Sequence, residues 1–534
     1  MINRLIVNAK IYTLDAEQPA ASALAISRDR IVAVGGDELR TLATKQTQID
    51  DLQGATVIPG LIDAHIHWEW TSRSLRDVDL FAVPSKQEAV ERVGKAAANV
   101  KQGGWLLGRG WAQAMWEGGA FPTAADLDAV TGNIPTFLNA RSGHGAWVNS
   151  AALKLAGITD STPDPKGGLI QRDEHGKATG ILLEDAIGLV SKLVPDPTAA
   201  ELADMMEDAQ KLAWQAGLTG LHDFDNPSAF EAMQILHEQG RLGLRIVKNI
   251  NAPFIQHAYG LRLRSGFGDD WLRIGALKIF ADGALGTRTA LMIAPYEGEP
   301  ENYGVVVTDP EEMIGLVSEA SRRGLASTIH AIGDKAVHEV LNVFETVRDE
   351  EAARGVHPSE RRHRIEHVQL IHPDDVGRLA ALDIIASMQP IHATADYQMA
   401  DQYWGTRSAF GYNPRLQIGA GAQVAFGSDS PVEPFDPIKG IHAAVTRRRE
   451  DGTPRAEGWY PEAKITMEET LRGYTQGAAY AGGMEDRQGR IAVGYFADVV
   501  ALDRDLVTGA PDDILKTKVI GTMVGGVWNH YTLK

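Results

Sequence analysis

The chain has 534 residues, a formal net charge of −18 and no cysteine. That length exceeds one ordinary core and points to about three to four domain-sized units, or one large barrel with additions. The acidic balance argues against a nucleic-acid footprint, and the missing cysteine excludes disulfides, zinc–thiolate sites and a thiol nucleophile.

With 44% hydrophobic and 23% charged residues the composition is that of a soluble globular protein. The N-terminal apolar run is too short for a signal peptide, and no stretch reaches transmembrane length. The expectation is a cytoplasmic protein acting on a small molecule, without nucleic-acid or membrane partners; self-association into a homo-oligomer stays open.

From Leu5 to Val34 short β-type runs alternate with turns, as in a small antiparallel sheet. A matching series returns from Gly489 to Tyr531, so both chain ends are expected to build one composite β-sandwich from residues 1–52 and 487–534. Next comes the stretch Val57 to Trp70, where Val57, Ile58, Leu61 and Ile62 lead into His65 and His67. The two-residue period of extended chain places those two imidazoles on one side.

Seven further apolar runs follow, beginning at Leu218, Leu244, Ile274, Ala326, His363, Ile384 and Val424. They alternate with helix-like segments such as Pro310 to Arg323, and together with Val57–Ile62 they predict an α/β fold, a closed parallel (β/α)₈ barrel of the TIM type over residues 53–71 and 204–486. Thr466 and Glu469 form a capping-box pattern ahead of an apolar helix running to Tyr480. Residues 72–203 are too many for one connection and are expected to form an inserted subdomain over the barrel mouth. Six of the eleven tryptophans (Trp68, Trp70, Trp105, Trp111, Trp116 and Trp147) fall in or just before it, as an aromatic surface or as a subdomain core.

Polar residues at strand ends carry the chemistry. Lys278 lies within an apolar strand, where an unpaired ammonium is expensive to bury. His330, His367 and Asp429 each close a predicted strand, so in a barrel all point to one spot with His65 and His67. Three or more imidazoles plus a carboxylate, with no thiolate, is a donor set for a hydrolytic Zn²⁺ site. Asp429 suits the proton transfer such a site needs. Softer candidates are Trp68, Trp111, His144, Asp282, Arg288 and His392 for substrate, with His222 also considered and Glu366 as a support for its neighbouring ligand.

The ordered set His65, His67, Lys278, His330, His367 and Asp429, flanked by β segments at both ends, resembles the amidohydrolase superfamily. The phrases from Lys278 to Arg288, His330 to Asp334 and Gly427 to Pro431 resemble the branch that includes N-substituted formamide deformylases. The resemblance implies a (β/α)₈ barrel and one or two divalent metals, usually zinc, with His65 and His67 on the more buried ion and His330 and His367 on the second. It further implies a carbamylated Lys278 bridging them, and hydrolysis of an amide, N-formyl or N-acyl C–N bond by metal-activated water. A lactone or ester hydrolase on the same site, and a barrel that binds metal or ligand without catalysis, are the competing expectations.

Overall fold

The computed structural model describes residues 2–81, 83–101, 103–141 and 144–533. It divides into a unit of residues 1–71 and 206–534 and a second of residues 72–205.

Eight parallel strands organise the first unit: β1 (Leu61–Ile66), β2 (Leu218–Asp223), β3 (Arg245–Asn251), β4 (Leu272–Phe280), β5 (Ser327–Ala331), β6 (Arg364–His367), β7 (Ile385–Met388) and β8 (Val424–Phe426). They pair in sequence order, each with the next, as a nearly closed barrel sheet. β1, β2, β6 and β7 are buried at every position, as expected for strands covered on both faces. Just past β8, Asp429 N donates to His65 O at 2.7 Å and His67 N donates to Ser430 O at 2.9 Å, coupling the last strand's exit to the first.

One expected element is split. Val57 and Ile58 do not continue into β1: the chain forms one strand at Thr56–Pro59 and a separate one at Leu61–Ile66. Gly60 sits at the break, where a Cβ would collide with the Thr219 side chain of β2. Thr56–Pro59 pairs instead with Lys10–Tyr12 and Val499–Leu502. It is thereby part of a six-stranded sheet drawn from both chain ends. A four-stranded sheet of Arg30–Gly35, Ala23–Ser27, Arg4–Val7 and Gln48–Asp51 lies beside it in sequence. Ile6, Leu24, Ile26 and Ile31 share one apolar core with Ile11, Val57, Val499, Ala501 and Met523.

The capping box forms: Thr466 Oγ1 accepts from Glu469 N at 3.2 Å, and the Glu469 carboxylate accepts from Thr466 N at 2.7 Å. The helix expected to reach Tyr480 widens into a π-helical turn at Gly473–Gly477 before Ala478–Ala481.

The second unit has its own six-stranded mixed sheet, in the order Gly168–Arg172, Ala178–Glu184, Gly145–Val148, Thr136–Ala140, Leu106–Trp111 and Val78–Asp79. Trp111, Trp116 and Trp147 pack ring to ring at 6.1–6.3 Å inside its core, against Val93 and Leu127. These aromatics therefore bury area rather than present a surface. Among the described residues no helix is long and apolar enough to cross a membrane.

Candidate metal centre

The strand exits bring the histidines together. His65 lies within β1 and His67 one residue beyond it, His330 lies near the end of β5, and His367 ends β6. Ring centroids run His67–His65 at 5.7 Å, His65–His367 at 4.9 Å and His367–His330 at 4.6 Å. Asp429 Oδ1 is 3.4 Å from His65 Nε2 and 3.5 Å from His67 Nε2. One ligand atom each from His65, His367 and Asp429 falls within 4.8 Å of the others.

What fixes these rings is the other nitrogen. His65 Nδ1 meets Glu366 Oε2 at 2.6 Å, His67 Nδ1 meets Asp225 Oδ1 at 3.0 Å, and His367 Nδ1 meets Gln389 Oε1 at 2.8 Å. An acceptor at Nδ1 places the proton there and leaves the Nε2 lone pair for a metal. Burial, with the Lys278 charge next, holds His65 well below the usual histidine range. Burial and His330 do the same for His367. Neutral imidazole is the form that ligates. On His67 burial is the largest influence and opposes the charge, but the Asp225 hydrogen bond and the Asp225 and Asp429 charges together outweigh it and raise the pKa.

His330 stands differently. Its Nε2 donates to Gly283 O at 2.9 Å and lies 3.5 Å from Asp282 Oδ1, so only Nδ1 remains for a ligand. Lys278 is buried, and its ammonium lies 4.8 Å above the Phe224 ring and 4.6 Å from that of Phe280, with no hydrogen-bond or ion-pair partner among the described residues. Burial lowers its pKa, against the pull of Glu366 and Asp429. Burial raises that of Asp429. Asp429 and His367 both carry positive φ, +60° and +77°, strain that is tolerated where the surroundings over-determine a backbone. Here the determinants are visible. Asp63 Oδ1 accepts from His65 N at 3.1 Å and Ser428 N at 3.0 Å, and a Cβ on Gly427 would run into His65 N.

The softer candidates separate. His392 is buried beside the centre, its Nε2 4.0 Å from Asp429 Oδ2 and its ring parallel to that of His367 at 6.3 Å. Asp282 spends its carboxylate on the backbone N–H groups of Leu291, Ile332 and Gly333. Arg288 pairs with Glu299 at 2.6 Å. Trp68 is wholly buried with its ring 6.3 Å from Phe435, and Trp111 belongs to the core of the second unit. His144 is also in that unit, exposed and 3.0 Å from Glu184. His222 faces Arg364, whose Nη1 donates to its Nδ1 at 3.0 Å.

Sequence reasoning singled out Glu366 but missed Asp225, Gln389 and Asp63. Asp225 lies two residues beyond β2 and Gln389 directly follows β7, so the strand-end criterion that found the ligands also reaches them. Asp63, two residues before His65, shares the parity that selected the histidines.

A family profile described as "Amidohydrolase family" matches residues 48–528. The chain is 33% identical to Protein LONG AFTER FAR-RED 3 of Arabidopsis thaliana over 98% of this chain and 90% of that one. It is 30% identical to the N-substituted formamide deformylase of Arthrobacter pascens, over 99% and 98%. A solved uncharacterized metal-dependent hydrolase from Pyrococcus furiosus superposes with a TM-score of 0.78 at 30% identity, covering 95% of this chain and 99% of that one. With the profile match running from residue 48 through the barrel to residue 528, the chain belongs to the amidohydrolase family.

Proposed function

We propose that the protein is a metal-dependent hydrolase cleaving an amide-type C–N bond, with Asp429 as its proton-transfer residue. The observation that carries this is the row of imidazoles whose Nδ1 atoms are each engaged by Glu366, Asp225 or Gln389, leaving Nε2 atoms beside one carboxylate. Such support is what metal-ligating histidines need, and an N/O donor set without thiolate suits Zn²⁺ among divalent cations.

His65, His67 and Asp429 would hold one ion; His367 and, through Nδ1, His330 would hold a second. Lys278, if carbamylated, would be the residue to hold both. A buried amine without an acceptor, its pKa lowered, is poised to lose its charge by carbamylation. When bound, a divalent metal acidifies a water to a pKa of about 7 and polarises the scissile carbonyl. Asp429 accepts the water's proton and returns it to the leaving nitrogen. His392, 4.0 Å from Asp429, is placed to donate to a substrate group there. We read the two end sheets as one β-sandwich and residues 72–205 as the insertion that follows β1.

Similarity to the N-substituted formamide deformylase of Arthrobacter pascens supports a C–N bond over an ester. The test is hydrolysis of matched N-formyl amines, N-acyl amino acids and lactones by zinc-loaded protein, beside chelator-stripped protein and Asp429→Asn. Expected is C–N cleavage lost on stripping, and a variant that keeps its metal but not its turnover. Undiminished hydrolysis after rigorous stripping refutes the proposal, and faster cleavage of the lactones refutes the C–N assignment.

A further inference from the structure

Behind His392 runs a buried chain of hydrogen bonds that leads away from the metal centre. His392 is the third residue of the helix Pro390–Trp404, which follows β7, and Gln369 lies two residues beyond β6. Gln369 Nε2 is 3.2 Å from His392 Nδ1, and Gln369 Oε1 is 3.1 Å from the Tyr412 hydroxyl, which is also 2.9 Å from Asp396 Oδ2. His392, Gln369 and Tyr412 are all buried. The tyrosine is held in turn: its N–H donates to Gln369 O at 2.6 Å, its carbonyl accepts from Arg447, and its ring lies 5.6 Å from that of Trp404.

One proton decides the sense of this chain, because a tyrosine hydroxyl donates only once. If Tyr412 donates to Gln369 Oε1, the amide turns its NH₂ toward His392 Nδ1, and the imidazole proton sits on Nε2. If Tyr412 donates to Asp396 instead, the amide turns over, its oxygen takes an Nδ1–H, and the Nε2 lone pair faces outward. The neighbours of the ring favour the first sense. Nε2 is 4.0 Å from Asp429 Oδ2, and the Ser428 carbonyl favours a proton on the same ring. Both neighbours are acceptors, so they repel a lone pair and attract an N–H, strongly so in a buried site. The far end of the chain agrees. The first sense needs Asp396 to offer a proton to the Tyr412 oxygen, and burial raises that carboxyl against the Tyr412 hydrogen bond and the Arg449 charge.

We infer that Gln369 and Tyr412 are positioning residues that fix the Nε2–H tautomer of His392, so that this imidazole meets substrate as a hydrogen-bond donor and not as a base. What the N–H meets rests on the hydrolase reading: it is the carbonyl oxygen, on which negative charge gathers as water adds. No proton leaves His392. Asp429 alone carries the water's proton to the leaving nitrogen.

The experiment records the ring nitrogen-15 resonances of His392 in zinc-loaded protein made with labelled histidine, assigned by their absence from His392→Gln, in wild type, Gln369→Leu and Tyr412→Phe. Expected is a wild-type ring protonated at Nε2 and bare at Nδ1. Gln369→Leu and Tyr412→Phe each lose part of the Nε2–H population and keep their zinc. On the fastest substrate among N-formyl amines, N-acyl amino acids and lactones, each lowers kcat by about three- to tenfold and changes KM by less than about twofold. His392→Leu loses about 10²- to 10³-fold in kcat, and His392→Gln, which restores an N–H, recovers at least about tenfold of that. A wild-type ring protonated at Nδ1 overturns the inference without recourse to any positioning variant. So do folded variants that leave the Nε2 proton fully in place, or a His392→Gln no faster than His392→Leu. An Nε2 proton that shifts in both variants of a protein hydrolysing none of these compounds supports the chain and removes the hydrolase reading alone.

Discussion

Replacing Glu366 by Gln tests the physical core of the site, because it preserves volume and removes only charge and acceptor capacity. Glu366 is wholly buried: one oxygen takes the His65 Nδ1–H at 2.6 Å, the other meets Arg364 Nε at 2.7 Å and accepts from Thr328 Oγ1. Two effects follow. A neutral amide holds the imidazole proton on Nδ1 less firmly, and if it turns its NH₂ toward His65 it forces the proton to Nε2 and blocks the lone pair. Loss of such a support costs about 10- to 100-fold in metal affinity, roughly 1.4–2.7 kcal/mol.

The second effect falls on the fold. Stranding a buried cation costs about 3–5 kcal/mol, but Arg364 keeps His222 at 3.0 Å and lies over the Phe224 ring at 5.1 Å. We therefore expect a cost below that range, about 2–3 kcal/mol. Zinc affinity is measured by competition with a chromophoric chelator, and folding is checked by near-UV circular dichroism and thermal melting. A folded Glu366→Gln that binds zinc as tightly as wild type would refute the tautomer argument, since no other group among the described residues bonds His65 Nδ1.

Four further outcomes are expected. Asp225→Asn weakens zinc binding through His67 by about tenfold, measured by the same competition. Gly427→Ala, whose new methyl meets His65 N and Asp63 Oδ1, destabilises by about 1–3 kcal/mol and lowers kcat more than it raises KM, because it shifts the strand exit that carries Asp429. Asp498→Ala strands the buried Arg245 guanidinium, which it now pairs at 2.7 and 3.1 Å, and costs about 3–5 kcal/mol; adding Arg245→Met recovers most of that in thermal melts. Burial works to raise the Glu351 carboxyl, but hydrogen bonds from His363 and Ser321 and the Arg348 charge outweigh it and hold it at about 2. Its folded pKa is depressed, so its stabilisation is complete above the ordinary value of 4.5 and is withdrawn as pH falls toward 2; Glu351→Gln should flatten the acid dependence of the melting temperature in that window.

The barrel was legible because runs such as Leu61–Ile66 and Ile385–Met388 are largely apolar and buried on both faces, and because polar residues such as His67 and Asp429 follow where the sheet ends. The split at Gly60 was not legible: Val57, Ile58, Leu61 and Ile62 form one hydrophobic pattern, and only the approach of Thr219 dictates that the chain must turn between them. The ligands were legible as residue types at strand ends. Their supports were not, since Asp225 and Gln389 carry no motif and become meaningful only when β2 and β7 bring them to a histidine Nδ1. Trp111 and Trp147 illustrate a different limit, because aromatic enrichment looks alike whether rings line a pocket or fill the core of the second unit.

The site is also the seam of the barrel. Asp429 N bonds His65 O, Ser430 O accepts from His67 N, and Asp63 accepts from Ser428, so every tie that brings β8's exit to β1 also sets a residue of the metal centre. Asp63 and Ser428 lie 365 residues apart, and closing so long a loop costs entropy that only the completed ring repays. The ligands from β1 therefore acquire their carboxylate only when the last strand docks. A substitution that loosens the seam, such as Gly427→Ala, is thus expected to lower metal affinity and thermal stability together, whereas one at Arg245 or Asp498, whose ion pair shares none of the seam's hydrogen bonds, lowers stability while sparing metal affinity in the molecules that remain folded. Finding the two quantities independent at Gly427 would separate closure of the barrel from assembly of the site.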